Sequence, residues 1–578
     1  MDKILRVNVG ATDRPEIKTE PLNGYRHLGG RALTSAIIAK EVPPLCHPLG
    51  ANNKLVIAPG LLSGTSAVCS GRMSVGCKSP LTGGIKESNS GGQGSQVLAR
   101  LGYAAIVLEG KPADDTLYKI IINKDGVQVI ADNSLKLLGN YDLVEKLKQA
   151  HGDNITCLSI GPAGERKMGI ATIAFTDMEQ RPTRHAGRGG VGAVMGAKGI
   201  KAIVLDDDGC SMRVPKDPEK FKKAGKVFAE GLKRHDVSGQ GLPAFGTNMM
   251  TNAINEAGAY PTRNFSSGQF EGVAKISGET LVEIEKARGA LTTHACHKGC
   301  IIKCSGTYND KDGNFLTKQP EYETVWAHGG NCGIDDMDAI ALMDRLDDDY
   351  GIDTIEMGNT IAVAMEGGLA EFGDAKAAVD MVKEVGKGSH LGCILGSGAT
   401  VTGKVFSVER IPAVKGQTMP AYDPRAIMGM GVTFATSTQG ADHTAGYAVA
   451  SNLFGIGGKV DALKPEGQAA LSRNLQIATA TIDALGMCLF TAFALLDQED
   501  SSQALIDLVN GCYGFDWTAD DFANHGKSVL KNERLFNEQA GFSSKHDRLP
   551  EFFTTEPLAP HNITFQVSDE ELDSVFNF

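Results

Sequence analysis

Between Ile4 and about Asp208, apolar and polar positions alternate in short β-branched runs: Ile4 to Val9, Lys54 to Ala58, Ala105 to Leu108, Lys119 to Ile122 and Ala202 to Leu205. Each run is bounded by Gly, Ser, Pro or Asn, and such punctuated alternation predicts strands, so this stretch reads as a sheet-rich domain. The period then changes. Polar Asp206-Asp207-Asp208-Gly209 ends the strands, and Pro215-Lys216-Asp217-Pro218 opens a helical spacing over Glu219 to Leu232. The same spacing returns over Asp336 to Asp347, Thr354 to Met365, Asp374 to Val385 and Gln468 to Leu485. Together these periods predict an α+β chain with an N-terminal β-rich sheet domain (1–208) and two mainly α-helical domains (209–415 and 416–578). The second boundary falls at Ala413 to Pro420. There is no low-complexity segment and no repeat of solenoid length.

A chain of 578 residues exceeds what one core usually supports, and its 42% hydrophobic content is ordinary for a soluble protein. The net charge of -12 comes without a lysine- or arginine-rich stripe, which argues against nucleic acid or an anionic membrane as partner. The N-terminus carries no long apolar segment, and the longest apolar run, Ala484 to Leu496, is too short to cross a bilayer, so the expected location is cytoplasmic. Of the twelve cysteines, most stand alone among small or apolar neighbours, as do Cys46, Cys157, Cys393 and Cys512, and read as buried thiols. With no export signal, a real group of cysteines reads as a metal site. Glycine is the informative excess: 70 residues, roughly 12% of the chain against a typical ~7%. Backbone must approach something closely.

One group of cysteines exists. Cys296-His-Lys-Gly-Cys300-Ile-Ile-Lys-Cys304 sets three thiols in nine residues, and thiolate is the ligand preferred by both iron–sulfur clusters and zinc. A fourth ligand must come from elsewhere, with Cys488 the first candidate and Cys332 the second. Structural zinc, or three unrelated thiols, remain open on the spacing. A radical S-adenosylmethionine site ranks low, because its usual spacing is three residues then two, and here it is three then three.

A second pattern occurs twice. Asp348-Asp-Tyr-Gly351-Ile-Asp353 and Asp483-Ala-Leu-Gly486-Met-Cys488 share the form D-x-x-G-x-(D/C), each at the end of a helical spacing where glycine can turn the chain out of the helix. Singly, each reads as a helix C-cap. A carboxylate at a helix end can also accept two N–H bonds from an aminopyrimidinone edge, with glycine allowing close approach. Two copies imply two such heterocycles. In the second copy cysteine replaces the last carboxylate, and five residues span at most roughly 18 Å, so a heterocycle and a metal cluster would be neighbours.

With these motifs the sequence resembles the aldehyde ferredoxin oxidoreductases over almost its whole length. The resemblance includes Gly29-Gly30-Arg31, Ala58-Pro-Gly60, Gly71-Arg72, Ser79-Pro80-Leu81-Thr82, Asn89-Ser-Gly91-Gly92, and the run from Arg184-His-Ala-Gly187-Arg188-Gly189-Gly190 to Lys198. It implies a tungsten (or molybdenum) bis-pterin centre, with Arg72, Asn89, Gly91, Arg184 and His185 around the pterin phosphates and their bridging Mg2+. Asp348, Asp353, Asp483 and Cys488 would line the pterins. It also implies a 4Fe-4S cluster on Cys296, Cys300, Cys304 and Cys488, and cofactors at the interface of the domains. The family more often has two residues between its first two cluster cysteines, whereas this chain has three.

Gly187-x-Gly189-x-x-Gly192 also fits a dinucleotide fingerprint formally, but the polar stretch from Asp177 to Arg184 stands where a feeding strand is expected. Arg181, Arg184 and Arg188 around these glycines suggest an anion-binding loop instead. The resemblance further nominates catalytic groups in otherwise bland surroundings: Glu321 or Glu323 in Pro-Glu-Tyr-Glu, with Glu321 preferred for its proximity to Cys304, then His443 in Gly440-Ala-Asp-His, and Tyr422 upstream of it. The implied reaction is oxidation of an aldehyde substrate to a carboxylic acid, with electrons leaving through the cluster to ferredoxin or a dedicated iron–sulfur electron-transfer subunit. Homo- and hetero-oligomers are both compatible with it. Alternatives are another two-electron reaction with the same cofactor, such as reduction of an acid or an aromatic thioester, and an iron–sulfur electron-transfer subunit without pterin.

Overall fold

The computed structural model describes residues 1–11 and 14–578. Two six-stranded sheets occupy the N-terminal region. The first runs in the order Glu16–Pro21, Lys3–Asn8, Tyr103–Glu109, Leu55–Pro59, Met73–Lys78, Ile85–Ser90. The second runs Arg184–Ala186, Ile173–Phe175, Thr156–Ser159, Ile200–Leu205, Tyr118–Asn123, Gly126–Ala131. All five strands expected from alternation are present. Inner strands such as Leu55–Pro59 and Ile200–Leu205 are buried along their whole length, and their apolar residues from both sheets share one core with Leu98, Val191 and Met195. The chain is thus α+β, with mixed sheets first and helices after.

Beyond Leu205 helices dominate. Asp217 caps Pro218–Arg234, its side chain accepting the Lys220 N–H while Pro218 takes the first helical position, where no donor is needed. Asp336, Asp353 and Asp374 cap Met337–Tyr350, Thr354–Glu366 and Ala375–Lys387 in the same way. Buried faces of these last three helices meet around Trp326 and Tyr260 in a large second core, while Pro218–Arg234 packs Phe221, Phe228 and Leu232 into a separate one. The apolar run at 484–496 does not form one helix. Gly486 ends Gln468–Leu485 in the left-handed conformation (φ 76°), and a 3-10 turn Leu489–Thr491 and a short helix Ala492–Asp497 follow. Among the described residues no helix is long and apolar enough to cross a membrane.

Candidate functional site

Both D-x-x-G-x-(D/C) units end helices and dock on the sheet region. Gly351 closes Met337–Tyr350 at φ 72°, as Gly486 closes the helix before it. The second unit meets the first sheet's loops at backbone distance. Leu61 N and Leu62 N donate to the carbonyls of Ala484 and Leu485, and Arg72 N donates to that of Gly486. A Cβ on Gly60 would lie 2.0 Å from Gly486 N, and one on Gly30 2.2 Å from the Asp483 carbonyl oxygen. The glycines of Gly29-Gly30-Arg31 and Ala58-Pro59-Gly60 are therefore the condition for this docking. Asp483 faces Arg31 at 3.3 Å. Burial and the neighbouring Glu87 raise its carboxyl to about 8 against the pull of Arg31.

The first unit docks on the second sheet's region. Thr172 N donates to the Gly351 carbonyl, Asp353 N to that of Ile170, and Asn140 Nδ2 to that of Asp348. Lys318 Nζ donates to both Asp348 oxygens at 2.9 and 2.8 Å, and His185 Nε2 lies 3.0 Å from one of them. Burial opposes ionisation there, but Lys318 and His185 hold Asp348 below its ordinary value. Asp353 accepts from Ile355 N and from Arg188 Nε at 3.1 Å.

The three arginines of the expected anion loop also meet protein partners. Arg188 is buried and pairs with Asp353 and Glu356, Arg184 pairs with Glu321 at 3.4 Å, and Arg181 stacks on Phe315 at 3.8 Å. The three guanidiniums each serve a separate contact. A three-residue strand, Arg184–Ala186, does precede Gly187, contrary to expectation, but it is antiparallel to its neighbour, so the parallel context of a dinucleotide fingerprint is missing. A Cβ on Gly187 would meet nothing within 4 Å, which leaves open space beside the loop.

The cysteine trio lies on a loop against the second unit. A Cys296 sulfur, a His297 ring nitrogen and the Cys300 sulfur lie within 4.8 Å of one another. Cys304 and Cys488 join the same packed group. Gly91 sits between Arg72 and Cys296, where a Cβ would be 3.2 Å from an Arg72 nitrogen and 3.4 Å from the Cys296 sulfur, and Arg72 Nε donates to Asn89. Contact with Cys300 and burial raise Cys296, while burial, Glu321 and the other thiols raise Cys304. Crowded, buried thiols of this kind release their protons when a thiophilic metal arrives, so Cys296, Cys300, Cys304 and Cys488 fit an iron–sulfur cluster. Cys332 is elsewhere. It lies in the helical core, with its sulfur against the Ala327 and Gly358 carbonyls.

Two residues of this group were not signalled by sequence. Cys69 stands alone in its segment, yet its N–H donates to Gly299 O at 3.0 Å and its carbonyl accepts from Cys488 N at 2.9 Å, tying the trio loop to the second unit. It does so at φ 58°, a strained angle for a non-glycine residue. His297 packs its ring against Gly71 and leaves Nε2 buried without a partner.

Glu321 and Glu323 point to different places. Glu321 precedes the helix Tyr322–His328 and is held by Arg184 and by Thr247 Oγ1 at 2.8 Å, next to Cys304. Glu323 Oε1 lies 3.5 Å from His443 Nε2, and its other oxygen accepts from Ala421 N at 3.0 Å. Burial raises Glu323, with His443 opposing. Tyr422 packs beside His443, its ring centre 6.1 Å away, and its hydroxyl pairs with that of Tyr447 at 2.6 Å. Phe493 continues the wall from Tyr447. Glu323 Oε1 and His443 Nδ1 are both buried without a hydrogen-bond partner. Two adjacent unsatisfied groups of this type are suited to transferring a proton to or from a bound molecule.

The sequence matches the family model described as "Aldehyde ferredoxin oxidoreductase, N-terminal domain" over residues 4–207 and "Aldehyde ferredoxin oxidoreductase, domains 2 & 3" over 223–577. It is 37% identical to the tungsten-containing aldehyde ferredoxin oxidoreductase of Pyrococcus abyssi and 36% identical to that of Pyrococcus horikoshii, in both cases over 96% of this chain and 92% of the relative. It shares its fold with the active site complex BamBC of benzoyl coenzyme A reductase, solved with 1,5-dienoyl-CoA. That match has a TM-score of 0.80 and 18% identity, and covers 99% of this chain and 93% of the other.

Proposed function

Because this chain belongs to the aldehyde ferredoxin oxidoreductase family, a family of oxidoreductases, we propose that it oxidises aldehydes to carboxylic acids at a tungsten (or molybdenum) bis-pterin centre. One aldehyde and one water yield one carboxylic acid, two electrons and two protons. When bound, the metal–pterin and a 4Fe-4S cluster would supply the two-electron oxidation and the one-electron exit to ferredoxin or a dedicated iron–sulfur subunit. Cys296, Cys300, Cys304 and Cys488 would hold the cluster. Asp348, Asp353, Asp483, Arg72, Asn89, Gly91, Arg184 and His185 would surround the pterins and a Mg2+ at their phosphates.

The observation that carries this reading is the pair His443 Nε2 and Glu323 Oε1, 3.5 Å apart and otherwise unpartnered on Glu323 Oε1 and His443 Nδ1. The pair receives the proton lost as water adds to the carbonyl carbon, Glu323 being the nearer carboxylate to His443 and Glu321 being engaged by Arg184. Tyr422, in the same wall, orients the carbonyl oxygen through its hydroxyl, with Tyr447 as its partner. Tyr322, Tyr447 and Phe493 exclude bulk water from this side.

The experiment is anaerobic preparation followed by elemental analysis and steady-state assay with a viologen dye. Stoichiometric tungsten or molybdenum, together with two one-electron dye reductions per carboxylate formed, is the expected result. Protein without either metal, or metal-loaded protein that reduces dye with no aliphatic or aromatic aldehyde, would exclude the proposal.

A further inference from the structure

His443 faces two carboxylates. Glu323 Oε1 lies 3.5 Å from Nε2, and Asp442 Oδ1 lies 3.9 Å from Nδ1. Two flanking carboxylates of equal charge would compete for the imidazole and leave its proton without a defined side. They are not equal in their surroundings. Asp442 Oδ2 is 3.2 Å from Nζ of Lys86, a side chain only 1% exposed. Asp442 is the only hydrogen-bond partner of Lys86 Nζ among the described residues. Asp442 Oδ1 also accepts from Thr444 N and Oγ1 at 3.0 and 2.8 Å. Glu323 has no Lys or Arg paired with it at such a distance: it meets His443, the Ala421 N–H and the tyrosine wall, and Arg188 acts on it only from farther off.

Lys86 comes from the strand Ile85–Ser90, far in sequence from the loop it pins. Its stem passes Gly189, where a Cβ would be 2.6 Å from Lys86 Cγ. Gly189, at φ 79°, therefore makes room for this lysine. Arg188 secures the same loop from the other side, its Nη1 donating to the Ala441 carbonyl at 2.9 Å. A buried ion pair is often replaceable by apolar groups without loss of stability, so burial alone does not explain a lysine here. Its placement behind the carboxylate next to His443 does.

We propose that Lys86 is a positioning residue for the His443–Glu323 pair: by neutralising Asp442, it leaves Glu323 as the carboxylate facing His443 without a directly paired cation and directs the shared proton to Nε2. This rests on the reading that the pair handles a proton during turnover. The titratable and charged groups around His443 are Glu323, Asp442, Tyr422 and Tyr447, with Lys86 acting through Asp442 and Arg188 through both Asp442 and Glu323.

The test compares Lys86→Gln, Lys86→Arg and Asp442→Asn as metal-loaded enzymes, reading kcat against pH, KM, and tungsten and iron content. Lys86→Gln leaves Asp442 unscreened, so the acidic limb of the profile should move to higher pH, with kcat down about tenfold or more and KM within about twofold. Asp442→Asn leaves Lys86 unscreened, so the limb should move to lower pH. Lys86→Arg should keep the wild-type limb. A purely structural tie would not give opposite displacements. Limbs that stay put, or move the same way in the two neutral variants, overturn the proposal; if Lys86→Gln does not load metal, Asp442→Asn decides, and a limb unmoved or moved to higher pH overturns it. The functional reading is judged on wild-type aldehyde turnover, and this inference on the displacements, whichever two-electron substrate the wild type accepts.

Discussion

His443 Nε2 lies 3.5 Å from Glu323 Oε1, while Glu321, two residues earlier, is turned away to Arg184. The step of two residues crosses the start of the helix Tyr322–His328, so the carboxylates leave the chain in different directions.

Replacement of Glu323 by Gln should therefore lower kcat by about 10²–10⁴-fold, the usual range for a proton-transfer group. The same change at Glu321 should cost much less in turnover. Both variants should keep their tungsten. Burial holds the Glu323 carboxyl above its ordinary value, so wild-type turnover should fall on acidification at a higher pH than a solvent-exposed glutamate would give. Equal losses in the two variants would remove the distinction.

Cys488→Ser should reduce iron and acid-labile sulfide per chain, because it removes a proposed ligand. Cys69→Ala, which removes a thiol but keeps the backbone bonds to Gly299 and Cys488, should retain both. Elemental and sulfide analysis of the purified proteins decides. Full cluster content in Cys488→Ser would place the fourth ligand elsewhere.

Gly60→Ala should open the contact between the Ala58-Pro59-Gly60 turn and the second motif, since its Cβ would lie 2.0 Å from Gly486 N and only backbone can move. The expected cost is about 1–3 kcal/mol or more, read as a lower Tm, with tungsten content falling in parallel. A variant as stable and as fully loaded as wild type would show that the contact is not needed.

Glu285 gives a pH test of stability away from the site. It is buried on Gly278–Ala287 with one oxygen bonded to Gln319 Nε2 at 2.9 Å and the other unpartnered, and burial raises its carboxyl to about 8. The folded value lies above the unfolded one of about 4.3. Between the two, the native state holds a proton that the unfolded chain has released, so stability falls as pH rises through this window. Glu285→Gln should leave Tm unchanged near pH 4 and raise it near pH 8, by a gain on the order of 1–3 kcal/mol. The same difference in Tm at both pH values would contradict the assignment.

Much of this molecule is written locally. Alternation marked the strands and helical spacing marked the helices, because amphipathicity depends on neighbours in the chain; the caps Asp217, Asp336, Asp353 and Asp374 are equally local. The trio Cys296, Cys300 and Cys304 and the paired motifs were legible for the same reason, since each is a short run whose spacing carries its chemistry. Only the tertiary structure separates Glu323 from Glu321, brings Cys69 against the loop of the cysteine trio, and sets Lys86 behind Asp442 and His443. Those relations join residues tens to hundreds of positions apart, and they depend on which backbones can approach closely, as Gly60 does with Gly486 and Gly189 with Lys86. Periodicity and spacing record what a residue does within its own element; which distant charge or thiol it meets is fixed by packing between elements, and no local pattern encodes that.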